Sequence, residues 1–117
     1  MAVAELNSLL AYQAELQKPG IVVIDFYSPT CGPCKVVAPL LDTLASEAPN
    51  AEVRFFKVNG IDDEGAKVQA AAEVVWWPTF VIYKDGQEQW RAKVPNPPDQ
   101  HPIAGLANAL AEVRERK

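Results

Sequence analysis

Few side chains in this sequence can bind a metal through sulfur or imidazole. The 117 residues include two cysteines, Cys31 and Cys34, and one histidine, His101. A C-x-x-C spacing can form half of a zinc site, but such a site needs two further ligands with similar spacing. His101 alone does not complete that set, so the sequence predicts no metal.

Basic clusters and long apolar runs are also missing. The net charge is −4 and no basic run occurs, which argues against nucleic acid as a partner. No segment approaches the ~20 apolar residues that span a membrane. The first twenty residues lack a basic start followed by an apolar core, so we expect no signal peptide. A C-x-x-C motif without such a signal is typical of a reducing, cytoplasmic location.

The sequence does contain enough apolar material for a core. Hydrophobic residues make up 49% of the chain, and a chain of this length buries roughly two thirds of its unfolded surface. We therefore predict one domain that covers residues 1–117. No G-x-G-x-x-G or phosphate-binding loop occurs, so we predict no nucleotide and no other bound cofactor.

The most informative functional motif is Cys31-Gly32-Pro33-Cys34, whose two cysteines are three positions apart. On a helix, positions three apart are neighbours with Cβ atoms about 5–6 Å apart, and a disulfide needs Cα atoms roughly 4.4–6.8 Å apart. The pair can therefore bond or stay reduced with little backbone movement. A loop this short constrains the unfolded chain very little, which disfavours a purely structural disulfide and favours redox chemistry.

The flanking residues assign different roles to the two thiols. Residues 21–27 form an apolar run that predicts a buried strand, and Ser28-Pro29-Thr30 ends it. Pro33 suits the first turn of a helix, because the N–H that it lacks would be unpaired there. Cys31 then lies at a helix N-terminus, which favours the thiolate, the attacking species. Cys34, one turn further in, is the expected resolving thiol.

Two charged residues lie on strands near the motif. Asp25 interrupts the buried run, and burial of a carboxylate should raise its pKa. It is either a satisfied buried polar group or, as we favour, a proton acceptor for the inner thiol. Lys57 lies on the next strand, where it either approaches Asp25 or is an ordinary surface lysine.

The rest of the chain alternates strand and helix patterns. Strands are expected at 2–6, 21–27, 53–58, 79–83 and 87–94, with an Asp85-Gly86 turn and a proline-rich loop at 94–102. Helices are expected from Asn7 or Ser8 to about 17, from the motif to about 48, from Asp62 or Asp63 to about 74, and near the end, capped by Asp99 or His101. The expected core face of the motif helix comprises Val36, Val37, Leu40, Leu41, Leu44 and Ala48.

Four features in order resemble the thioredoxin family over nearly the whole chain. They are Asp25-Phe26 six residues before the first cysteine, Cys31-Gly32-Pro33-Cys34-Lys35, Lys57 on the following strand, and Pro78-Thr79-Phe80 opening a hairpin. The resemblance implies an α/β thioredoxin fold, with a central mixed sheet of four to five strands flanked by about four helices.

The resemblance also implies roles for individual residues. Cys31 resembles the attacking thiol, Cys34 the resolving thiol, and Asp25 the buried proton acceptor paired with Lys57. Pro78 resembles the cis-proline that faces the disulfide, and the backbone at Trp77 resembles the segment that pairs with a substrate strand. The substrate-binding surface is expected to include Gly32, Pro33, Trp76, Trp77 and Pro78.

Three departures from the family pattern lie at the expected substrate-binding surface, where they affect which partner proteins bind. Thr30 replaces the usual tryptophan before the first cysteine, and Val94-Pro95-Asn96-Pro97-Pro98 replaces a glycine at the rim of the groove. Trp76 stands where a small or polar residue is more common. It either serves as a docking surface in place of the missing aromatic or packs beneath the proline-rich loop.

These observations predict a thiol–disulfide oxidoreductase that reduces disulfides in protein substrates through a reversible Cys31–Cys34 pair. The family implies a thioredoxin reductase, a flavoprotein that uses NADPH, as the partner that restores the dithiol. We expect a monomer. The alternatives are a non-catalytic binding module or structural subunit with the same fold, and an oxidase or isomerase.

Overall fold

The computed structural model describes residues 3–116, and within them the chain forms five strands and four α-helices. The strands are β1 (Val3–Glu5), β2 (Ile21–Tyr27), β3 (Arg54–Asn59), β4 (Thr79–Lys84) and β5 (Gln87–Lys93). The helices are α1 (Leu9–Gln17), α2 (Gly32–Ser46), α3 (Asp63–Ala71) and α4 (Ala104–Glu115), with a short 3₁₀ turn at Ala48–Asn50. Ala2, the predicted start of the first strand, lies outside the described residues.

The five strands form one mixed sheet in the order β1-β3-β2-β4-β5. The strands β1, β3 and β2 run parallel, whereas β4 is antiparallel to both β2 and β5. The expected Asp85-Gly86 turn joins β4 to β5. The strand β2 is central and covered on both faces, which explains its nearly continuous apolar run.

Helices cover both faces of the sheet. On one face, α1 and α3 pack over a cluster that includes Tyr12, Ile24 and Val68. On the other, α2 and α4 pack over a cluster that includes Val23 and Leu110. Alternation along β3 places Phe55 on the α2 side and Phe56 on the α1 side of the sheet. None of the helices within 3–116 has the length and apolar character needed to cross a bilayer.

Two of the helix caps follow the sequence prediction, and one does not. The Ser8 hydroxyl caps α1 by accepting from the Ala11 N–H at 3.0 Å, and the Asp62 carboxylate caps α3. For α4, the prediction of Asp99 or His101 is wrong. The cap position is Ile103, whose hydrocarbon side chain has no atom that can accept a hydrogen bond, and the Ala104 N–H donates to the His101 carbonyl at that end.

The buried face of α2 is narrower than the sequence predicts. Val36 and Leu40 are 48% and 38% exposed, while Val37, Leu41, Leu44 and Ala45 are buried. A helix that packs on one side of a sheet buries only one stripe, and Val36 and Leu40 lie outside that stripe. Ala48 is exposed as well, since α2 ends at Ser46 and Ala48 belongs to the following turn.

Candidate active site

The turn between β2 and α2 places Cys31 at the helix N-terminus. The Cys31 N–H donates to the Ser28 carbonyl at 3.2 Å, and the Thr30 N–H donates to the Ser28 hydroxyl. Cys31 is the N-cap residue of α2, and its sulfur accepts from the Cys34 N–H at 3.2 Å. The positive end of the helix dipole therefore acts on the Cys31 sulfur.

The two cysteines are joined by a disulfide with a Cα–Cα distance of 5.2 Å. Cys31 is half-buried, whereas Cys34 is buried with 5% exposure. Only the first sulfur is thus open to an incoming molecule, and the second lies behind it. Gly32 between them is exposed, with open space where a Cβ would point, while Pro33 is buried within the first turn.

A pocket of about 300 Å³ opens in front of Cys31. Four of the predicted substrate-binding residues line it, namely Gly32, Pro33, Trp76 and Trp77. The predicted Pro78 is buried behind this wall, and the Trp77–Pro78 peptide bond is cis. Sequence reasoning missed Thr30, Val75 and Asn96 as lining residues. Thr30 and Asn96 lie where the sequence departs from the family pattern, and these departures could have identified them as lining residues.

Hydrogen bonds from both indoles fix the tryptophan wall of the pocket. The Trp76 Nε1–H donates to the Val94 carbonyl at 2.7 Å, and the Trp77 Nε1–H donates to the Gln69 side chain at 2.7 Å.

None of the turn and loop backbone hydrogen bonds between residues 3 and 116 uses the N–H or C=O of Trp77. Those groups are therefore available to an extended peptide.

Asp25 lies in the sheet below the motif helix. Its residue is 4% exposed, and its Oδ1 has no hydrogen-bond partner among the described residues. Alternation along β2 puts its side chain on the face that α2 covers, the same face as Val23. Burial raises the pKa of Asp25 to about 7, with the Lys57 charge opposing that rise and the Glu5 charge adding to it. Such a group exchanges protons at neutral pH.

Lys57 is aligned with Asp25 but does not form the ion pair that the family resemblance implies. The two residues are register partners on β3 and β2. The Lys57 Nζ instead lies 3.8 Å from Glu5 Oε2 and 5.8 Å from the centre of the Tyr27 ring. No ion pair joins Lys57 to Asp25 in the described part of the chain, because a competing carboxylate is available on the neighbouring edge strand. Glu5 and Tyr27 were not predicted as site residues.

No group suited to a metal ion accompanies the cysteines in this region of the chain. Across residues 3–116, no three histidine, cysteine or carboxylate side chains converge to hold one. The electron-carrying unit in the described structure is the cysteine pair itself, since a dithiol and its disulfide differ by two electrons.

A sheet of this topology with a C-x-x-C pair at the N-terminus of the helix after its central strand defines a thiol–disulfide oxidoreductase. The thioredoxin family model matches residues 3–104. The chain therefore belongs to the thioredoxin family, and it is a disulfide reductase of the thioredoxin type.

Individual relatives agree with that assignment. Thioredoxin-2 of Saccharomyces cerevisiae is 36% identical over 96 residues, which cover 81% of this chain and 88% of the yeast protein. Thioredoxin-like protein R548 of Acanthamoeba polyphaga mimivirus is 36% identical over 74% of this chain, which spans 63% of that protein's length. The crystal structure of thioredoxin from Trypanosoma brucei brucei matches 98% of this chain and 93% of its own, with a TM-score of 0.82 and 23% identity, and supports the fold.

Proposed function

We propose that Cys31 is the attacking thiol and Cys34 the resolving thiol in the reduction of exposed disulfides in folded or partly folded proteins. One observation carries this assignment. The two cysteines lie one helical turn apart with their sulfurs bonded, and the half-buried Cys31 lines the pocket while Cys34 is buried. The unpaired backbone at Trp77 supports a substrate that binds as an extended strand.

The first step consumes the substrate disulfide. The Cys31 thiolate attacks one substrate sulfur, so that a mixed disulfide forms and the substrate S–S bond breaks. The other substrate sulfur leaves as a thiolate and takes a proton from the medium. The helix N-terminus at Cys31 favours the thiolate from which this step starts.

The second step closes the internal disulfide. Asp25 in its ionised form accepts the proton of Cys34, and the resulting thiolate attacks the Cys31 sulfur. The mixed disulfide breaks, the second substrate sulfur leaves as a thiolate and takes a proton from the medium, and two electrons have passed from the cysteine pair to the substrate. With a pKa of about 7, Asp25 is both ionised and protonated in appreciable amounts at neutral pH, which suits a proton acceptor that must be recycled.

A further partner must restore the dithiol. By analogy with the family, we assign this role to an NADPH-dependent flavoprotein reductase, and we place the protein in the cytoplasm as a monomer. The single domain over residues 1–117 likewise remains a prediction. These assignments depend on the family resemblance and on the sequence. A coupled assay with purified reductase, in which NADPH oxidation is followed, tests the assignment of the reductase partner.

The two single cysteine variants test the assigned roles. Reduction of insulin by dithiothreitol is followed with wild-type protein, Cys31→Ser and Cys34→Ser. We expect both variants to lose activity, but only Cys34→Ser to accumulate a mixed disulfide with insulin, visible by non-reducing electrophoresis. Accumulation by Cys31→Ser instead would reverse the assignment. A binding module that needs no thiols would keep its cellular function when both cysteines are serine.

A further inference from the structure

Register across three parallel strands places three charged residues in one row. Glu5 on β1 is the register partner of Lys57 on β3, and Lys57 is the register partner of Asp25 on β2. Alternation puts all three side chains on the face that α2 and α4 cover. A line of alternating charges therefore runs from the edge of the sheet to its centre.

The outer end of this row is tied together by Tyr27. The Tyr27 hydroxyl donates to Glu5 Oε2 at 2.6 Å, and the same carboxylate oxygen lies 3.8 Å from the Lys57 Nζ. The Lys57 ammonium also lies over the Tyr27 ring. We call Glu5, Tyr27 and Lys57 the rim cluster. The side chains of Glu5 and Lys57 are 39% and 41% exposed, so the cluster contacts solvent while Asp25 is buried.

Few charges act on Asp25 from the elements around it. The charges that change its pKa are Lys57 on β3 and Glu5 on β1, and its neighbour on β4 is the apolar Phe80. The helix α2 covers this face of the sheet and carries Cys34, which is bonded to Cys31 in this structure. Burial and the Glu5 contact raise the pKa of Tyr27, with Asp62 adding to the effect, so its hydroxyl stays a neutral donor.

Within this arrangement Glu5 can influence Asp25 in two ways. Its own negative charge disfavours ionisation of Asp25 directly. Its contact with Lys57 also draws the ammonium outward, where solvent screens it. An ammonium that instead approached the carboxylate closely would stabilise the ionised form strongly.

We propose that Glu5 is a positioning residue that holds the Lys57 ammonium at the rim of the sheet and thereby keeps Asp25 able to exchange a proton at neutral pH. The importance of this arrangement for turnover rests on the proposed role of Asp25. The arrangement itself is measurable without turnover.

The test is a carboxyl carbon NMR titration of Asp25 in the oxidised protein, in which no cysteine titrates. In Glu5→Gln we expect the midpoint to fall by roughly half a pH unit or more, about a threefold loss of proton affinity. Glu15→Gln is the matched control, since it removes the same charge from a glutamate that binds Lys18 and Arg54 on the other side of the sheet. Equal midpoints in the two variants would overturn the proposal.

Two further variants separate positioning from direct repulsion. Tyr27→Phe removes the hydroxyl that holds Glu5, and we expect a smaller fall in the same direction. In a Lys57→Met background we expect Glu5→Gln to lower the midpoint less than it does in the wild type, because no ammonium remains to be released. Equal falls in both backgrounds would show direct repulsion alone and overturn the positioning role.

The failure of the proposed catalytic step is distinguishable from the failure of this inference. The rate at which Cys34 resolves a preformed mixed disulfide is measured against pH for wild type and Glu5→Gln. We expect its midpoint to move down with that of Asp25. A shifted NMR midpoint with an unchanged rate profile contradicts the Asp25 step and leaves the placement of Lys57 supported.

Discussion

The indole N–H of Trp76 donates a hydrogen bond to the main-chain carbonyl of Val94 at 2.7 Å. The Val94 N–H in turn donates to the Pro78 carbonyl at 3.0 Å. Val94 begins the proline-rich loop, so these two bonds fix where that loop leaves the sheet and bring Asn96 to the pocket. Trp76 remains 41% exposed. It is therefore held by the loop and is open to a partner at the same time.

Replacement of Trp76 tests whether its exposed surface docks protein substrates. For Trp76→Ala we expect kcat/KM for insulin to fall about tenfold, since burial of an aromatic surface at an interface contributes on the order of 1–2 kcal/mol. The rate with a small aromatic disulfide should change by less than a factor of about two. Both rates are measured by stopped flow with the reduced protein.

A second substitution at this position separates the ring from its hydrogen bond. Trp76→Phe keeps an aromatic surface but removes the donor to Val94, and it should retain most of the activity with insulin. Leu10→Ala, at a residue 78% exposed on α1, is the control for loss of apolar surface elsewhere. Unchanged efficiency of Trp76→Ala with insulin would contradict a docking role.

Burial of Asp25 makes the stability of the fold depend on pH. Its pKa rises from the ordinary 3.8 to about 7 in the folded protein. Above pH 3.8 the unfolded chain releases this proton first, so the folded state loses relative stability as pH rises towards 7, and the loss is complete above that value. The pKa difference corresponds to about 4 kcal/mol as an upper figure.

We therefore expect Asp25→Asn to increase the free energy of unfolding at pH 8 by about 2–4 kcal/mol and to have little effect near pH 4. Urea denaturation of the oxidised proteins at a series of pH values measures the difference. Asp42→Asn, at an exposed position of α2, is the matched control and should show no such pH dependence. A gain for Asp25→Asn that is constant with pH would contradict this explanation.

A pair of tyrosines joins α1 to the sheet far from the cysteines. The hydroxyls of Tyr12 and Tyr83 are 3.1 Å apart, both residues are buried, and their rings pack edge to face. Either single change to phenylalanine leaves one buried hydroxyl without its partner and should cost about 1–3 kcal/mol. The double change should cost less than the sum of the two. Additive losses in a denaturation cycle would contradict this coupling.

Two helical glycines provide a matched pair for backbone packing. A Cβ on Gly65 of α3 would overlap the Asn59 carbonyl at the end of β3, whereas a Cβ on Gly105 of α4 meets the Trp90 ring at an ordinary 3.7 Å. We expect Gly65→Ala to destabilise the protein by about 2 kcal/mol or more. Gly105→Ala should be neutral or stabilising by up to about 1 kcal/mol, because alanine favours the helix. Thermal unfolding of both variants measures the contrast, and similar melting temperatures would contradict it.

Local chemistry explains the parts of the structure that the sequence predicts well. The run from Ile21 to Tyr27 predicts β2 residue for residue, because a buried central strand needs apolar side chains on both faces. Pro33 marks the first turn of α2, and Ser8 and Asp62 mark helix starts through their own side chains. Each of these signals acts over a few residues, so no tertiary information is needed.

The remaining features depend on contacts between distant segments. The sequence leaves open whether Lys57 approaches Asp25, because the position of its ammonium depends on which carboxylate the neighbouring strand β1 supplies. Asn96 reaches the pocket only because Val94 is anchored to the segment before β4. The exposure of Val36 depends on how α2 is rotated over the sheet. Packing between distant segments determines these side-chain positions, and hydrophobic periodicity in the sequence does not specify that packing.

The two edge strands of the sheet affect how this protein interacts with unfolded polypeptides. Within residues 3–116 the strand β1 comprises three residues, and β5 carries Glu88, Arg91 and Lys93 along the opposite edge. Short and charged borders resist recruitment by the exposed strands of other chains. An oxidoreductase that reduces disulfides encounters partly unfolded polypeptides. Its short and charged edge strands disfavour pairing with their exposed strands, and so disfavour aggregation with them.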